Sequence, residues 1–388
     1  MKDAATANNA RHSPFYGPEH EAFRLTLRRF VTREIEPYAT QWDEAGEFPR
    51  DLYAKAGEIG YLGLGYPQQY GGVECDRFMQ VMAMQELARC GAGGICAGLF
   101  SHSIAAPPIL KRGSEAMKAR VLPQILSGEK IAALAITEPS GGSDVANLRT
   151  SARLDGDHYI VNGSKTFITS GMRADFITLA VRTGGIGAGG ISLLLIEGNP
   201  PGLQRTPLKK MGWWSSDTAT LYFENCRVPA ANLIGEESAG FRTIMLNFND
   251  ERLHGAALSI AFARVCLEEA IAYAKERVTF GKPLTHHQVI RHKLVDMAQK
   301  IEASQALLEI LTWRLEQGDN PVAEICMLKN QATTTLAFCA SEGVQIFGGA
   351  GFMRGAKVER IYREVKVAAI GAGTEEIMKD LASRQMGL

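Results

Sequence analysis

The chain has 388 residues, 46% of them hydrophobic, and its 42 lysines and arginines balance 42 aspartates and glutamates. That length can bury sizeable cores, and a net charge of zero lacks the basic excess of an electrostatic nucleic-acid binder. Seven cysteines without a CxxC pair, and eight histidines without an HExxH motif, read as free thiols in a reducing compartment and as no metal site.

The first residues, MKDAATANNARHSPFYG, lack an apolar signal core and carry too few arginines for a transit peptide. No window of about 18 continuous apolar residues occurs, so no membrane span is predicted and a cytoplasmic protein is expected. Residues 19–36 place Ala22, Phe23, Leu25, Leu27, Phe30, Val31 and Ile35 at near-helical spacing before Pro37 ends the run. Short helices are predicted at 51–59 and 76–88, with a Gly- and Pro-containing loop at 66–72 between them. Residues 91–106 are apolar and small, which predicts a buried helix; 114–127 are amphipathic.

The middle changes character. Short β-rich runs at 131–137, 158–161, 166–169, 176–181, 191–196 and 218–223 alternate with turn residues such as Asp155-Gly156-Asp157 and Asn162-Gly163. They predict a small antiparallel barrel or sandwich. The glycine run 184–190 lacks the Lys-Ser/Thr of a phosphate loop and reads as a flexible hairpin loop. Beyond about residue 240, helices are predicted at 240–276, 285–317, 322–347 and 374–386, as an antiparallel bundle. The expected class is α+β, with a helical unit at 1–130, a β unit at 131–239 and a helical unit at 240–388.

After the first β-rich run comes AITEPSGGSD, residues 135–144. Thr137 and Ser143 offer hydroxyl and backbone donors, and Gly141 and Gly142 let the backbone approach a ligand. Alone, this is a polar turn after a strand. It resembles the first signature of the acyl-CoA dehydrogenase family, departing at Asn147, where a smaller residue is usual. The stretch 345–352 (QIFGGAGF), with Arg360 and Glu364 downstream, resembles the second signature, although Gly355 replaces an acidic or amide residue. KTFIT at 165–169, RVTFG at 277–281 and GTEE at 373–376 fall in family order, and the likeness runs from about residue 15 to residue 388. Several motifs in register are specific where one glycine-rich match is not.

The resemblance implies FAD as cofactor and a role for each matching position. Ile136, Thr137, Gly142 and Ser143 would contact the flavin ring and pyrophosphate, with Ser143 also near the CoA arm. Phe167 and Thr169 would flank the isoalloxazine. Arg277, Phe280, Gln345 and Gly349 would reach the adenylate side of a neighbouring subunit's FAD, which implies a homotetramer, a dimer of dimers. Thr374 and Glu376 would lie where the chain passes the cofactor, and Arg252 near the substrate and CoA end. The bland alternatives are a solvated cation for Arg277 and ordinary core for Phe167 and Phe280.

The reaction removes a proton from Cα and a hydride from Cβ of an acyl thioester. It needs a carboxylate base and a donor to the thioester carbonyl. Many family members carry the base just before the Gly-Thr near the C-terminus, but here that position is Ala372. Glu251, within the predicted helix 240–276, is the replacement candidate, and its place resembles the arrangement of isovaleryl-, long-chain- and citronellyl-CoA dehydrogenases. Its neighbour Asp250 should point elsewhere on the helix, and the alternative for Glu251 is a surface partner of Arg252. The resemblance implies that the backbone N–H of Ala372, which needs no side chain, donates to the thioester carbonyl together with a ribityl hydroxyl of the flavin.

Gly371 and the small residues of CGAGGICAG at 90–98 are expected to widen the acyl pocket for branched or longer chains, unless those small residues only permit close helix packing. Trp213 and Trp214 are assigned either to the flavin edge or to an interface. The resemblance implies acyl-CoA as substrate and electron-transferring flavoprotein as acceptor. Rival readings are an acyl-CoA oxidase, a dehydrogenase of carrier-protein-bound acyl groups, and a catalytically silent acyl-CoA-binding or assembly protein.

Overall fold

The computed structural model describes residues 13–388, so the reading of residues 1–12 as free of a targeting segment lies outside it. The described residues open with six α-helices. Helix α1 (Pro18–Phe30) starts on a proline with Glu19 and Glu21 in its first turn, and ends on Arg28 and Arg29. That charge order complements the helix dipole. The predicted run to residue 36 continues instead as a π turn, Val31–Ile35, in which the Glu36 N–H reaches the Val31 carbonyl at 2.9 Å. Helix α2 (Ala39–Ala45) was not predicted; it has no side-chain cap and ends on Gly46 at φ +80°. Helices α3 (Asp51–Glu58), α4 (Arg77–Leu87) and α6 (Glu115–Leu126) follow the sequence reading, whereas α5 (Gly93–Arg112) runs six residues beyond the predicted end at 106, through Pro107 and Pro108. Asp76 and Ser114 cap α4 and α6, accepting from Met79 N–H at 2.8 Å and Met117 N–H at 3.2 Å.

Seven strands form one curled sheet: β1 (Ala132–Ala135), β2 (Ser151–Asp155), β3 (His158–Thr169), β4 (Phe176–Arg182), β5 (Ile191–Glu197), β6 (Leu203–Pro207) and β7 (Thr218–Pro229). The order is β1-β4-β2-β3-β7-β6, with β5 paired to β4. The runs predicted at 158–161 and 166–169 are one strand, β3, interrupted by register shifts at Val161/Gly163 and Lys165/Ile168. The glycine run 184–190 does link an antiparallel pair, β4 and β5. The sheet is not wholly antiparallel: β1 runs parallel to β4, with Ala132 opposite Phe176. A parallel pair needs a long connection, and residues 136–175, which include β2 and β3, provide it. Strands β2 and β6 escaped prediction because each buries a single apolar side chain, Ala152 and Leu203. One face of β4 and β5 (Phe176, Ala180, Leu193, Leu195) packs on Ile109 and Val121 of α5 and α6; the other (Ile177, Leu179, Leu194, Ile196) packs within the sheet's concavity on Leu221 of β7. Burial on both faces explains why these strands read as continuous apolar runs.

The rest is helical: α7 (Gly240–Glu276), a short hairpin of β8 (Val278–Thr279) and β9 (Lys282–Pro283), then α8 (Gln288–Glu316), α9 (Val322–Phe347), α10 (Lys357–Ile370) and α11 (Glu375–Gln385). Helix α10 had no predicted counterpart of its own. The first and last helical segments share one core, where Leu87, Ile95 and Leu99 meet Leu253, Ile260 and Leu336. Among the described residues α5 is the one helix long and apolar enough to cross a membrane, and 67% of that stretch is buried inside the fold. It is the central core helix.

Candidate active site

Strand β1 delivers the chain into the turn at 136–144, and one buried ion pair fixes that turn. Lys165 on β3 is fully buried and donates from Nζ to the Ile136 carbonyl (2.9 Å) and to Glu138 Oε1 (2.8 Å). Glu138 also accepts from the backbone N–H groups of Arg149 (2.6 Å) and Thr150 (2.8 Å), so one carboxylate ties the turn and the segment just before β2 to β3. Burial opposes the Glu138 charge, but the Lys165 ammonium and the hydrogen-bond donors outweigh it and hold the carboxyl at about 2. Burial lowers Lys165 to about 8, which leaves it charged at neutral pH.

The Thr166 N–H donates to the Thr137 carbonyl at 2.9 Å and sets the turn beside the second bulge of β3. Phe167 occupies that bulge at φ +60° and is 69% exposed. Left-handed backbone at a bulky residue costs about 1 kcal/mol or more and clusters at functional sites. Ile136 is buried, Thr169 half-buried, and Gly142 and Ser143 exposed. A Cβ on Gly142 would lie 3.3 Å from Thr137 Cγ2, whereas one on Gly141 would meet nothing within 4 Å. Among the described residues the hydroxyls of Thr137, Ser143 and Thr169 have no protein partner.

Helix α5 spans from this end of the sheet to α7. Ser101 Oγ accepts from Ser170 Oγ at 3.1 Å, just after β3, while the adjacent Phe100 ring meets His254 edge-on with centroids 5.9 Å apart. His254 is one helical turn beyond Glu251. Glu251 is half-buried, and its Oε2 is shielded from solvent without a hydrogen-bond partner among the described residues. Burial raises its carboxyl to about 7, against the pull of the Arg252 charge. Asp250 turns away, as expected, towards Arg77 Nε at 3.6 Å.

Arg252 does not spend its bonds on Glu251. It is 6% exposed and donates from Nε to the Ala372 carbonyl (3.4 Å) and from a terminal nitrogen to Asn249 Oδ1 (3.3 Å). The loop between α10 and α11 therefore meets α7 at Glu251–Arg252. Ala372 in that loop has φ +54°, and its N–H has no protein acceptor among the described residues. The geometry thus joins a partly desolvated carboxyl, a free backbone donor and, across α5, a glycine-rich turn with an outward aromatic ring.

Three family models match in sequence order: the acyl-CoA dehydrogenase N-terminal domain over residues 17–129, the middle domain over 133–226 and the C-terminal domain over 238–387. The chain belongs to the acyl-CoA dehydrogenase family. It is similar to an acyl-CoA dehydrogenase of Bacillus subtilis (strain 168), 38% identical over 95% of this chain and 98% of the relative. It is also similar to the mitochondrial long-chain specific acyl-CoA dehydrogenase of Sus scrofa, 36% identical over 96% of this chain and 87% of the relative. The crystal structure of an acyl-CoA dehydrogenase from Geobacillus kaustophilus superposes with a TM-score of 0.93 at 37% identity, covering 96% of this chain and 99% of that one.

This acyl-CoA dehydrogenase is accordingly an FAD-dependent oxidoreductase acting on acyl-CoA. The residues fit that cofactor on one observation in particular: Thr137 and Ser143, in an open glycine turn, and Thr169, two residues beyond exposed Phe167, have hydroxyls without a protein partner among the described residues.

Arg277, Phe280, Gln345 and Gly349 gather elsewhere. Phe280 is 96% exposed at the tip of the β8–β9 hairpin, where it and Gly281 have φ +51° and +74°. Two left-handed residues suit a tight hairpin. Tyr273 stacks on Phe347 with centroids 4.2 Å apart, bringing the exposed Arg277 and the exposed Gln345 and Gly349 to one end of the bundle. At 1.5 Å per residue, Arg277 lies about 39 Å along α7 from Glu251.

Thr374 caps α11, accepting from the Ile377 N–H at 3.3 Å. Glu376 is exposed in the first turn of that helix, its carboxyl held low by the backbone N–H and the Thr374 hydroxyl. Gly371 is exposed at the end of α10, and a Cβ there would meet only the Val367 carbonyl, at 3.3 Å.

The small residues at 90–98 do not open a pocket as expected. A Cβ on Gly93 would lie 2.3 Å from Trp213 Nε1, one on Gly94 2.5 Å from Ser215 Oγ, and one on Gly98 2.6 Å from Phe48 Cζ. These glycines admit other elements rather than a ligand. Trp213 and Trp214 join the sheet to the helices: Glu364 accepts from the Gly93 N–H (2.8 Å) and the Trp213 N–H (3.2 Å), and Arg363 stacks on Trp214 at 3.9 Å. Gly93→Ala should lower stability by about 1–3 kcal/mol through overpacking against Trp213. Thermal unfolding checks this; an unchanged Tm would mean that the indole yields.

Proposed function

We propose that this enzyme dehydrogenates branched, medium or long acyl-CoA thioesters to trans-2-enoyl-CoA, with Glu251 as the α-proton base. The observation that carries the reading is the shielded, unpartnered Glu251 Oε2, on the helical turn that Arg252 joins to Ala372. A carboxyl near 7 can take a carbon-bound proton at neutral pH. The Ala372 N–H donates to the thioester carbonyl, which acidifies Cα and carries the charge that develops on oxygen. FAD, when bound, supplies the hydride acceptor. Ile136, Thr137, Gly142, Ser143, Phe167, Thr169, Thr374 and Glu376 would hold it, and Ser143, Arg252 and Gly371 would face the substrate.

Arg277, Phe280, Gln345 and Gly349 complete the FAD site of a second subunit. One FAD does not span about 39 Å of α7 and also reach Glu251, which supports sites shared between subunits, as in the homotetramer that the resemblance implies. The acceptor is electron-transferring flavoprotein.

The broad acyl preference rests on the missing side chain at Gly371, since the 90–98 glycines no longer support it. An acyl-CoA panel tests it. Isovaleryl-, citronellyl- and longer straight-chain substrates should bleach the flavin under anaerobic conditions. Turnover confined to short linear chains would sink the pocket argument, and faster reoxidation by dioxygen than by the flavoprotein would favour an oxidase.

A further inference from the structure

Two buried cations hold three carbonyls, one in the last turn of α10 and two in the loop that leads to α11. Lys329, on α9 and 2% exposed, donates from Nζ to the Ala369 carbonyl (3.1 Å) and the Gly373 carbonyl (2.8 Å). Arg252, from α7, takes the Ala372 carbonyl between them. The residue after Lys329, Asn330, donates from Nδ2 to the Glu375 carbonyl at 3.0 Å. Two helices thus grip consecutive parts of one short segment by its backbone.

Burying an ammonium is costly, and both Lys329 hydrogen bonds go to neutral carbonyls rather than to a carboxylate. Burial, with the Arg252 charge nearby, lowers its pKa to about 8. The loop itself is strained: Ala372 is left-handed at φ +54° and Gly373 has φ +101°. A non-glycine residue stays there only when its surroundings over-determine it. The result is a segment whose carbonyls are occupied while the Ala372 N–H stays unpaired among the described residues.

We propose that Lys329 is a positioning residue for the thioester, its ammonium fixing the Ala369 and Gly373 carbonyls so that Ala372 keeps its backbone conformation and its N–H stays free for the substrate carbonyl. This rests on Ala372 as the thioester donor. Lys329 touches neither substrate nor cofactor; it acts through the loop. A donor that moves by a fraction of an ångström loses much of its value in the transition state.

The test is the carbonyl stretch of a 2-enoyl-CoA carrying ¹³C at C1, read by isotope-edited infrared difference on FAD-loaded protein. In the unmodified enzyme the stretch falls below its solution value. In Lys329→Met it returns towards that value, while flavin reduction by acyl-CoA slows about 10- to 100-fold with KM changed much less. Lys329→Gln, which retains one donor group, should fall between. Glu251→Gln should keep the full downshift, which separates the lysine from the base. A full downshift in Lys329→Met overturns the proposal. So does failure of both lysine variants to fold with FAD, which would make the residue structural. No downshift in the unmodified enzyme defeats the Ala372 reading itself.

Discussion

Glu251→Gln should keep its FAD and lose about 10⁴-fold in the rate at which acyl-CoA bleaches the flavin. General-base catalysis contributes about 10²–10⁴-fold, and the upper end applies because Ala372 offers no second carboxylate at this site. Glutamine preserves the shape and the polar amide but cannot accept the proton. The same substitution should stabilise the fold. The Glu251 carboxyl stands at about 7 in the native protein, above its ordinary 4.5, because burial disfavours its charge. A raised carboxyl pKa means that the folded state holds the proton more tightly. The stability it contributes is therefore full below pH about 4.5 and is lost as pH rises towards 7. Removing that titration should add stability of order 1–3 kcal/mol at pH 8, a trade of stability for activity. In the unmodified enzyme the rate of flavin reduction at low substrate should rise with pH through about 7 and then level. Stopped-flow reduction and thermal unfolding across pH measure both effects. A variant that is inactive but also less stable at pH 8 would mean that Glu251 makes a stabilising contact in the native state.

Lys165→Met should be the most damaging single change in the β region. It leaves Glu138, 5% exposed, with its amide donors but no counter-charge. Breaking a buried pair from one side costs about 3–5 kcal/mol. The turn at 136–144 would loosen with it, so FAD should be retained poorly. The double change Glu138→Gln with Lys165→Met should recover much of the loss, because the uncompensated charge is gone. Flavin content and denaturant midpoints of the single and double variants are the measurements. Equal losses in both would place the cost in packing rather than in charge.

The large elements were legible because they obey simple periods. The helices at 51–59, 76–88, 240–276 and 322–347 carry their apolar faces in sequence, and β4 and β5 are continuous apolar runs. What escaped depends on partners far along the chain. Strands β2 and β6 each bury one apolar side chain, so no alternation marks them. The glycines at 93, 94 and 98 looked like room for a ligand, and only the fold reveals that Trp213, Ser215 and Phe48 fill it. Lys165 and Glu138 both lie in the motifs that carry the family likeness, yet their pairing spans 27 residues. Lys329 had a local signal: it falls on the buried stripe of α9 with Ile325, Cys326, Ala332 and Leu336, where a lysine is out of place. Its role emerges only from the loop it grips. Glu251 stood out earlier because a missing carboxylate at Ala372 demanded one elsewhere.

Hydrogen exchange at Cα tests that substitution of one carboxylate for another most directly. FAD-loaded enzyme incubated anaerobically with a saturated acyl-CoA in D₂O should wash deuterium into the α-position of recovered substrate, followed by mass spectrometry. Glu251→Gln, equally loaded with FAD, should leave the α-protons in place over the same time. Exchange by Glu251→Gln at the rate of the unmodified enzyme would contradict the account and place the base on another residue.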